Sequence, residues 1–356
     1  MVKKETPNFV RTVAMTTRIR LARNLAGFPF PSKMSDAHAA EVLHLVERGL
    51  KTIDPDEYVR YDVGALTKMK SSLLQEQYLI SAELAKRKNG GAAFVSSDET
   101  VSIMVNEEDH LREQYICKGF ELMKAYERLS AIDDGLSGEL DFAFDNRLGY
   151  LTAYPSNLGT GMRASVMVFL PGLTWSGEIK NVFREWKLNG MTVRGSFGEG
   201  SEAEGYMYQV SNERTLGWSE KEILEEVSRF TLRICDQEDK ARKKMLQTME
   251  TETRDRCLRS YGALCNCALL DLSEFLRKIT DVKLGLALGF LEATSEREFD
   301  LFMDDMRPAA FCLNNRLDGE NERFYDEVRA ETVGSVLPKI VQVVRRGELR
   351  KTVISE

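Results

Sequence analysis

The feature that most constrains the fold is an abrupt change of periodicity at Ser219. Before it, "TTRIRLARN", "AAFVSS", "VSIMV", "LGYLTAY", "RASVMVFLP", "MTVRGSF" and "GYMYQVSN" read as strands, either alternating or continuously apolar. Several follow one another across short loops that carry glycine, which favours antiparallel pairing over a strict strand–helix–strand repeat. One clear helix, "SDAHAAEVLHLVERGLKTI", interrupts them with Ser35 as its N-cap. After Ser219 nearly everything has helical spacing. "SEKEILEEVSRFTLRICDQEDKARKKML" opens on Ser219 and Glu222 as a capping box and runs amphipathically through Leu224, Val227, Thr231 and Ile234. "RDRCLRSYGALCNC", "DLSEFLRKITDVKLGLALGFL", "SEREFDLFMDDM" and "ENERFYDEVRAETVGSVLPKIVQVVRRGEL" continue the pattern. The expected architecture is α/β of the α+β kind: an antiparallel sheet flanked by helices over 1–250, then an all-helical domain over 251–356. A chain of 356 residues suits two such units.

Composition narrows the function. A net charge of −7 with 29% charged residues argues against coating nucleic acid through the overall field, though local basic clusters remain free to bind anions. The start "MVKKETPNFVRTVAM" has no apolar signal-peptide core, and no apolar run approaches ~18 residues, so a cytoplasmic protein without a membrane span is expected. Cys117, Cys235, Cys257, Cys265, Cys267 and Cys312 do not make a disulfide scaffold in a chain this long. Cys265 and Cys267 form C-x-C without a second Cys/His pair at zinc-like spacing, which favours reduced thiols over a metal site. His38 and His44 fall in a helical pattern and read as structural or solvated. Neither G-x-x-x-x-G-K-[ST] nor G-x-G-x-x-G occurs, so a P-loop or Rossmann nucleotide site is unsupported.

Four stretches concentrate polar residues beside strands. Arg18 and Arg20, two apart in "TTRIRLAR", share one strand face, and paired guanidiniums suit phosphate oxygens; a solvated edge strand is the plainer alternative. In "YPSNLGTGMRASVMVFLP", Gly159 and Gly161 allow close backbone approach, and Arg163 enters the next strand. In "MTVRGSFGEGSEAEGYMYQVSN", Arg194 ends a strand. Gly195, Gly198, Gly200 and Gly205 follow, interleaved with Glu199, Glu202 and Glu204, as a mobile flap or as an ordinary acidic hairpin loop. "VNEEDHLREQ" sets Glu107, Glu108, Asp109, His110 and Arg112 directly after the apolar "TVSIMV". Arginines 18, 20, 112, 163 and 194 could assemble a cationic pocket for a polyphosphate, with Glu107, Glu108 and Glu199 facing a cationic acceptor. Phosphoryl transfer asks for that arrangement: positive charge around the transferred group and a base beside the nucleophile.

With those residues in place, the chain resembles the phosphagen (guanidino) kinase superfamily. "NEEDHLR", "YPSNLGTGMRAS", "VRGSFGEGSEAEGYMYQVSN" and "TTRIRLARN" are similar to its signature segments and occur in the expected order over about 15 to 245. Within it the chain resembles the bacterial protein-arginine kinase branch (McsB type). "RSYGALCNC" and "DVKLGLALG" look like that branch's helical extension, and the chain starts without the small helical domain that precedes small-guanidine kinases. The resemblance implies a phosphagen-kinase-like catalytic domain that moves the γ-phosphoryl of ATP to arginine side chains of proteins. It implies Glu108 as base or guanidinium anchor, Glu107 beside it, and Glu199 as the loop carboxylate. Thr17, Arg18, Ile19, Arg20, Tyr78, Arg112, Arg163, Ala164, Ser165, Val166, Met167, Arg194, Gly195, Ser196, Phe197 and Gly198 would form the ATP site. Mg²⁺ would bridge the phosphates, with no side-chain metal ligand. Tyr154 and Asn157 would orient the acceptor.

Three positions depart from the pattern. Tyr154 stands where the family usually has cysteine, Tyr78 where close relatives have histidine. The phosphoarginine-binding R-D-x-x-R-A reads "YDEVRA", keeping Asp326 and Arg329 but replacing the first arginine by Tyr325. The resemblance further implies protein substrates with exposed arginine, a cytoplasmic homodimer in the stress response, and an activator protein. It also implies a Clp-type protease/chaperone or transcriptional repressor as partner, with neither nucleic acid nor membrane. A small-guanidine kinase and a catalytically weak adaptor are the alternatives.

Overall fold

The computed structural model describes residues 8–195, 204–317 and 322–345. The expectations on Ser196, Phe197, Gly198, Gly200, Glu199 and Glu202 lie outside the described residues, and the side chains of Arg194 and Glu204 do too. The chain divides into two compact units. One comprises Met1–Val168, Lys180–Arg194 and Tyr208–Asp236; the other comprises Phe169–Ile179, Gly195–Met207 and Gln237–Glu356.

The strands are β1 (Ala14–Arg23), β2 (Tyr58–Asp62), β3 (Ala92–Ser96), β4 (Val101–Val105), β5 (Leu111–Lys118), β6 (Phe144–Asp145), β7 (Gly149–Tyr150), β8 (Met162–Phe169), β9 (Met191–Gly195) and β10 (Met207–Asn212). Eight of them form one sheet in the order β2-β3-β4-β5-β1-β8-β10-β9, and β6 pairs with β7 apart from it. Pairing is antiparallel from β2 through β5 and on both sides of β1; the short loops predict it for β3–β4 and β4–β5, while the other pairs join strands remote in sequence. The two-residue pleat then sorts side chains. Ile19, Leu21, Leu111, Met162, Ala164, Val166 and Val168 turn to one face and are buried, where the helix Leu122–Glu139 lies on β1 and β5 beside the helix Asp36–Ile53. Ser35 caps the latter by accepting from the His38 amide at 3.2 Å. Arg23 is also on this covered face. It donates to both Asp133 oxygens at 2.9 and 2.7 Å and stacks 3.5 Å over the Tyr150 ring.

The other face carries Arg18 and Arg20 on β1. Over β3 and β4 this face is covered by its own apolar cluster, with Leu74, Leu79, Ile80 and Leu84 packed on Ala93, Val95 and Met104. "LGYLTAY" yields only the short β7, because its remainder turns through Pro155–Asn157. Thr215 Oγ1 pins that turn by donating to the Ser156 and Leu158 carbonyls at 3.0 and 2.7 Å.

In the second unit, helices Leu272–Ala287, Glu296–Asp305, Pro308–Asn314 and Glu322–Ile340 enclose a core that includes Phe275, Val282, Phe302, Phe311, Val333 and Leu337. Two helices expected on either side of residue 250 run instead as one, Glu220–Asn266, interrupted at Met249 (φ −143°). Its start is the expected box: the Ser219 amide donates to Glu222 Oε2 at 2.8 Å, and the Glu222 amide to Ser219 Oγ at 3.3 Å. A small antiparallel pair, β11 (Leu291–Ala293) with β12 (Val341–Val343), adds strand where helix was read throughout. Among the described residues no helix is long and apolar enough to cross a membrane.

Candidate active site

The sheet register brings four arginines onto one patch. Arg20 sits opposite Arg163 of β8, Arg18 opposite Ser165, and Ala22 opposite Arg112 of β5. Arg163 Nη2 donates to Ser211 Oγ of β10 at 2.9 Å, and Gln209 Nε2 donates to Ser165 Oγ at 2.9 Å. Burial first, then the charges of Arg112 and Arg163, push the Arg18 guanidinium down to about 9, against the opposing pull of Tyr78 and Glu107. Arg20 is pushed well below its ordinary value by burial, then by Arg18, Arg112 and Arg163. The Nε atoms of Arg18 and Arg20 are buried and find no acceptor among the described residues. Desolvating a cation costs several kcal/mol unless an opposite charge compensates, and like charges add to the cost. Such a patch is complementary to a polyanion.

Beside it, β4 and β5 close through Val105 and Leu111 across the loop 106–110. Three loop residues are anchors. Asn106, at φ 60°, donates to the Ala39 and Gly90 carbonyls at 3.0 and 2.6 Å. Asp109 accepts from Asn24 Nδ2 and from the Ala153 amide, both at 2.6 Å. His110 accepts the Leu25 amide on Nδ1 at 3.0 Å and meets the Pro29 carbonyl through Nε2 at 2.9 Å, a pattern that requires the neutral ring. Burial lowers its proton affinity in the same sense. His110 is therefore a strut.

The glutamates differ among themselves. Glu107 is buried; Arg112 Nη1 donates to both its oxygens at 2.6 Å, and Ser81 Oγ donates to Oε1. Burial alone would raise its proton affinity, but the charge and hydrogen bonds of Arg112, then the Ser81 hydroxyl, hold it below the ordinary value. Glu108 is half-buried, and no described residue hydrogen-bonds its carboxylate. Burial, then the adjacent Glu107 charge, raise its proton affinity. Glu113 points to the covered face, fully buried, where burial and then Asp133 raise its proton affinity well above the ordinary value. Of the three glutamates 107, 108 and 113, Glu108 is the one whose carboxylate is left for chemistry among the described residues.

The other expected residues fall out as follows. Tyr78 (φ 61°) is half-exposed, lies within electrostatic reach of Arg18, and accepts on its carbonyl from Gln114 Nε2 at 2.6 Å. Met167 shares the arginine-bearing side of β8. The side chains of Thr17, Ile19, Ala164 and Val166 are turned by the pleat to the covered face, so the patch is narrower than the continuous runs suggest; Thr17 Oγ1 donates to the Gly119 carbonyl at 2.7 Å instead. Tyr154 is 52% exposed and follows Ala153, whose amide is fixed by Asp109. The Asn157 amide donates to the Tyr154 carbonyl at 3.0 Å, closing that turn. Arg194 and Gly195 end β9. Asp326 and Arg329 lie in the second unit, where Arg329 Nη1 donates to Asp326 Oδ1 at 2.8 Å and to the Leu270 carbonyl at 2.7 Å. Ser81, Gln114, Gln209 and Ser211 were not read as site residues. For Gln114, Gln209 and Ser211 the one signal is strand phase, which many polar strand residues share; Ser81 is the N-cap of the short helix Ala82–Ala85 and carries no such signal.

Residues 41–241 match the family described as ATP:guanido phosphotransferase, C-terminal catalytic domain. Residues 250–346 match the one described as protein-arginine kinase McsB C-terminal domain. The protein-arginine kinase of Caldanaerobacter subterraneus subsp. tengcongensis is 39% identical over 302 residues, 84% of this chain and 89% of that one. The protein-arginine kinase of Symbiobacterium thermophilum is 38% identical over 321 residues, 89% of this chain and 90% of that one. Among solved structures, a lombricine kinase aligns with TM-score 0.58 at 25% identity, covering 64% of this chain and 67% of its own. The duplicated taurocyamine kinase from Schistosoma mansoni with bound transition-state-analogue components aligns with TM-score 0.61 at 24% identity, over 75% of this chain and 41% of its own.

Proposed function

The chain belongs to the ATP:guanido phosphotransferase family, and from that premise we propose that it is an ATP-dependent protein-arginine kinase. The observation that carries the reading is one half-buried patch: Arg18 and Arg20, whose buried Nε atoms find no acceptor among the described residues, beside a carboxylate, Glu108, whose proton affinity is raised. The arginine face takes the phosphate oxygens of ATP, with Arg163 and Ser165 held in place by Ser211 and Gln209. Glu108 receives the acceptor guanidinium. As its nitrogen forms the bond to the γ-phosphorus, the bond from that phosphorus to the bridging oxygen breaks, ADP leaves, and the guanidinium proton passes to Glu108. Glu107 keeps Arg112 aligned rather than touching the acceptor. Glu199 closes the other guanidinium edge in this reading. Mg²⁺, when bound with ATP, would supply further neutralisation of the phosphates; Glu107 is already committed to Arg112 and Ser81, which fits an ion held by the nucleotide rather than by that carboxylate.

Two relatives named protein-arginine kinase and the match of residues 250–346 support a protein as acceptor. The same match supports a two-module organisation divided near residue 250, with the helical module as the docking element. Six free cysteines agree with a reducing compartment, the cytoplasm. The test incubates the chain with labelled ATP, Mg²⁺ and a basic protein, then locates acid-labile phosphoarginine by mass spectrometry. Label on arginine of the protein is the expected result. Label on serine alone, or on free arginine in preference to the protein, overturns the reading.

A further inference from the structure

Immediately before β10 stands a residue whose backbone is strained. Tyr206 has φ 56°, a left-handed conformation that a bulky L-residue adopts only under strain. Strain of this kind persists only where the surroundings over-determine it. Here they do. The Tyr206 carbonyl accepts from the Leu170 amide at 2.9 Å. Its hydroxyl oxygen accepts from Trp175 Nε1 at 2.7 Å and from Arg256 Nη2 at 3.2 Å. Arg256 is fixed in turn: its guanidinium lies 4.5 Å over the Trp175 ring, and its Nε donates to Asp281 Oδ1 at 2.9 Å. The other Asp281 oxygen accepts from Ser260 Oγ at 2.8 Å, and the Asp281 side chain is only 9% exposed. Two helices, Glu220–Asn266 and Leu272–Ala287, thus converge on one phenol.

Tyr206 is joined directly to Met207, the first residue of β10, and it is β10 that carries Gln209 and Ser211, the partners of Ser165 and Arg163. Released, a tyrosine would relax to negative φ and swing the chain at the head of that strand. We propose that Trp175, Arg256 and Asp281 form a positioning clamp on Tyr206 that sets the entry of β10 and, through it, the aim of Arg163 and Ser165. This deepens the kinase reading and rests on it. The clamp residues are positioning residues rather than catalytic ones. Their contribution is a fixed strand, supplied from the helical part of the chain, which makes that part a component of phosphoryl transfer as well as of docking.

The test uses the full chain with Tyr206→Phe, which keeps the ring and removes both hydroxyl contacts, and with Arg256→Ala and Asp281→Asn. Tyr206→Phe and Arg256→Ala are expected to lower kcat ~10-fold with the acceptor KM within about twofold, and the double variant should be no worse than the poorer single one. Arg256→Lys, which keeps charge but loses the fork, should recover only part of the rate. Amide exchange of residues 207–212 should accelerate ~10-fold or more in Tyr206→Phe and Arg256→Ala. The exchange measurement needs no activity. A wild-type chain that phosphorylated no arginine would remove the kinase reading, while the clamp would still stand or fall on exchange. Unchanged exchange at 207–212 in Tyr206→Phe, the variant least disturbing to folding, overturns the clamp. So does strict additivity of the two losses in kcat.

Discussion

Glu108 sits between a carboxylate already committed to Arg112 and Ser81 and an aspartate already committed to Asn24 and Ala153. Its neighbours consume the donors, so no described residue hydrogen-bonds its carboxylate, and burial, then Glu107, raise its proton affinity against the opposing charges of Arg112 and Arg20. A base must be ionised to act, so kcat/KM is expected to rise with pH through a pKa above the ordinary 4.5 of a glutamate. Glu108→Gln should remove that acidic limb and lower kcat by ~10²–10⁴, with ATP affinity nearly unchanged. A variant that kept its rate and its pH profile would move the base elsewhere. The sequence showed "NEED" as a charged knot and identified both glutamates as candidates. Local pattern alone could not separate them, although the family resemblance pointed to Glu108, because the difference rests on Arg112 engaging both Glu107 oxygens and on Ser81, which is distant in sequence. His110 was similarly ambiguous until both ring nitrogens were seen to be occupied by backbone.

At the scale of the strand, much was legible in advance. Alternation in "TTRIRLAR" put Arg18 and Arg20 on one face, and the register confirms it by setting Arg163 and Ser165 opposite them. Side-chain phase was the part overlooked: Thr17, Ile19, Ala164 and Val166 belong to the same runs but to the covered face. β11 and β12 were hidden because three-residue strands have too few positions to display a period of two. The arginine face also has an energetic consequence. Buried cations held for a ligand destabilise the free protein, and replacing such a charge by an apolar side chain of similar length often stabilises. Arg20→Met is therefore expected to raise the melting temperature of the free chain, by ~1–3 kcal/mol in stability. Pyrophosphate at about a hundred times its Kd should stabilise the wild type by ~2.7 kcal/mol and Arg20→Met far less. Differential scanning calorimetry with and without pyrophosphate measures both. A free Arg20→Met chain less stable than wild type would mean that Arg20 is compensated inside the protein.

For the molecule as a whole, the change of periodicity at Ser219 divides strand-rich from helix-rich sequence correctly, yet the compact units do not follow chain order. The second unit takes in Phe169–Ile179 and Gly195–Met207 together with everything after Gln237. Glu238 explains part of this: fully buried, it accepts from the Gly172 and Leu173 amides at 2.8 and 2.9 Å, while Arg242 donates to it at 2.7 Å and to the Phe169 carbonyl at 3.1 Å. Such pairings between remote segments carry no periodic signal, so no reading of local pattern exposes them. They bear on how the chain tolerates being cut. A fragment ending at residue 250 keeps Glu238 and Arg242 but loses Arg256, Asp281 and Lys283, which lies 5.0 Å over the Phe169 ring. Tyr206 and Trp175 would then face solvent with the strained backbone unsupported. The fragment is expected to lose at least ~10-fold in kcat and to melt several degrees lower, since each ~1 kcal/mol moves the midpoint by ~2–4 °C at this size. Adding residues 251–356 in trans should restore little, because the clamp needs Arg256 presented by a helix that continues unbroken from the fragment's own end apart from Met249. A fragment with full turnover on a basic protein would show the helical part to serve docking alone.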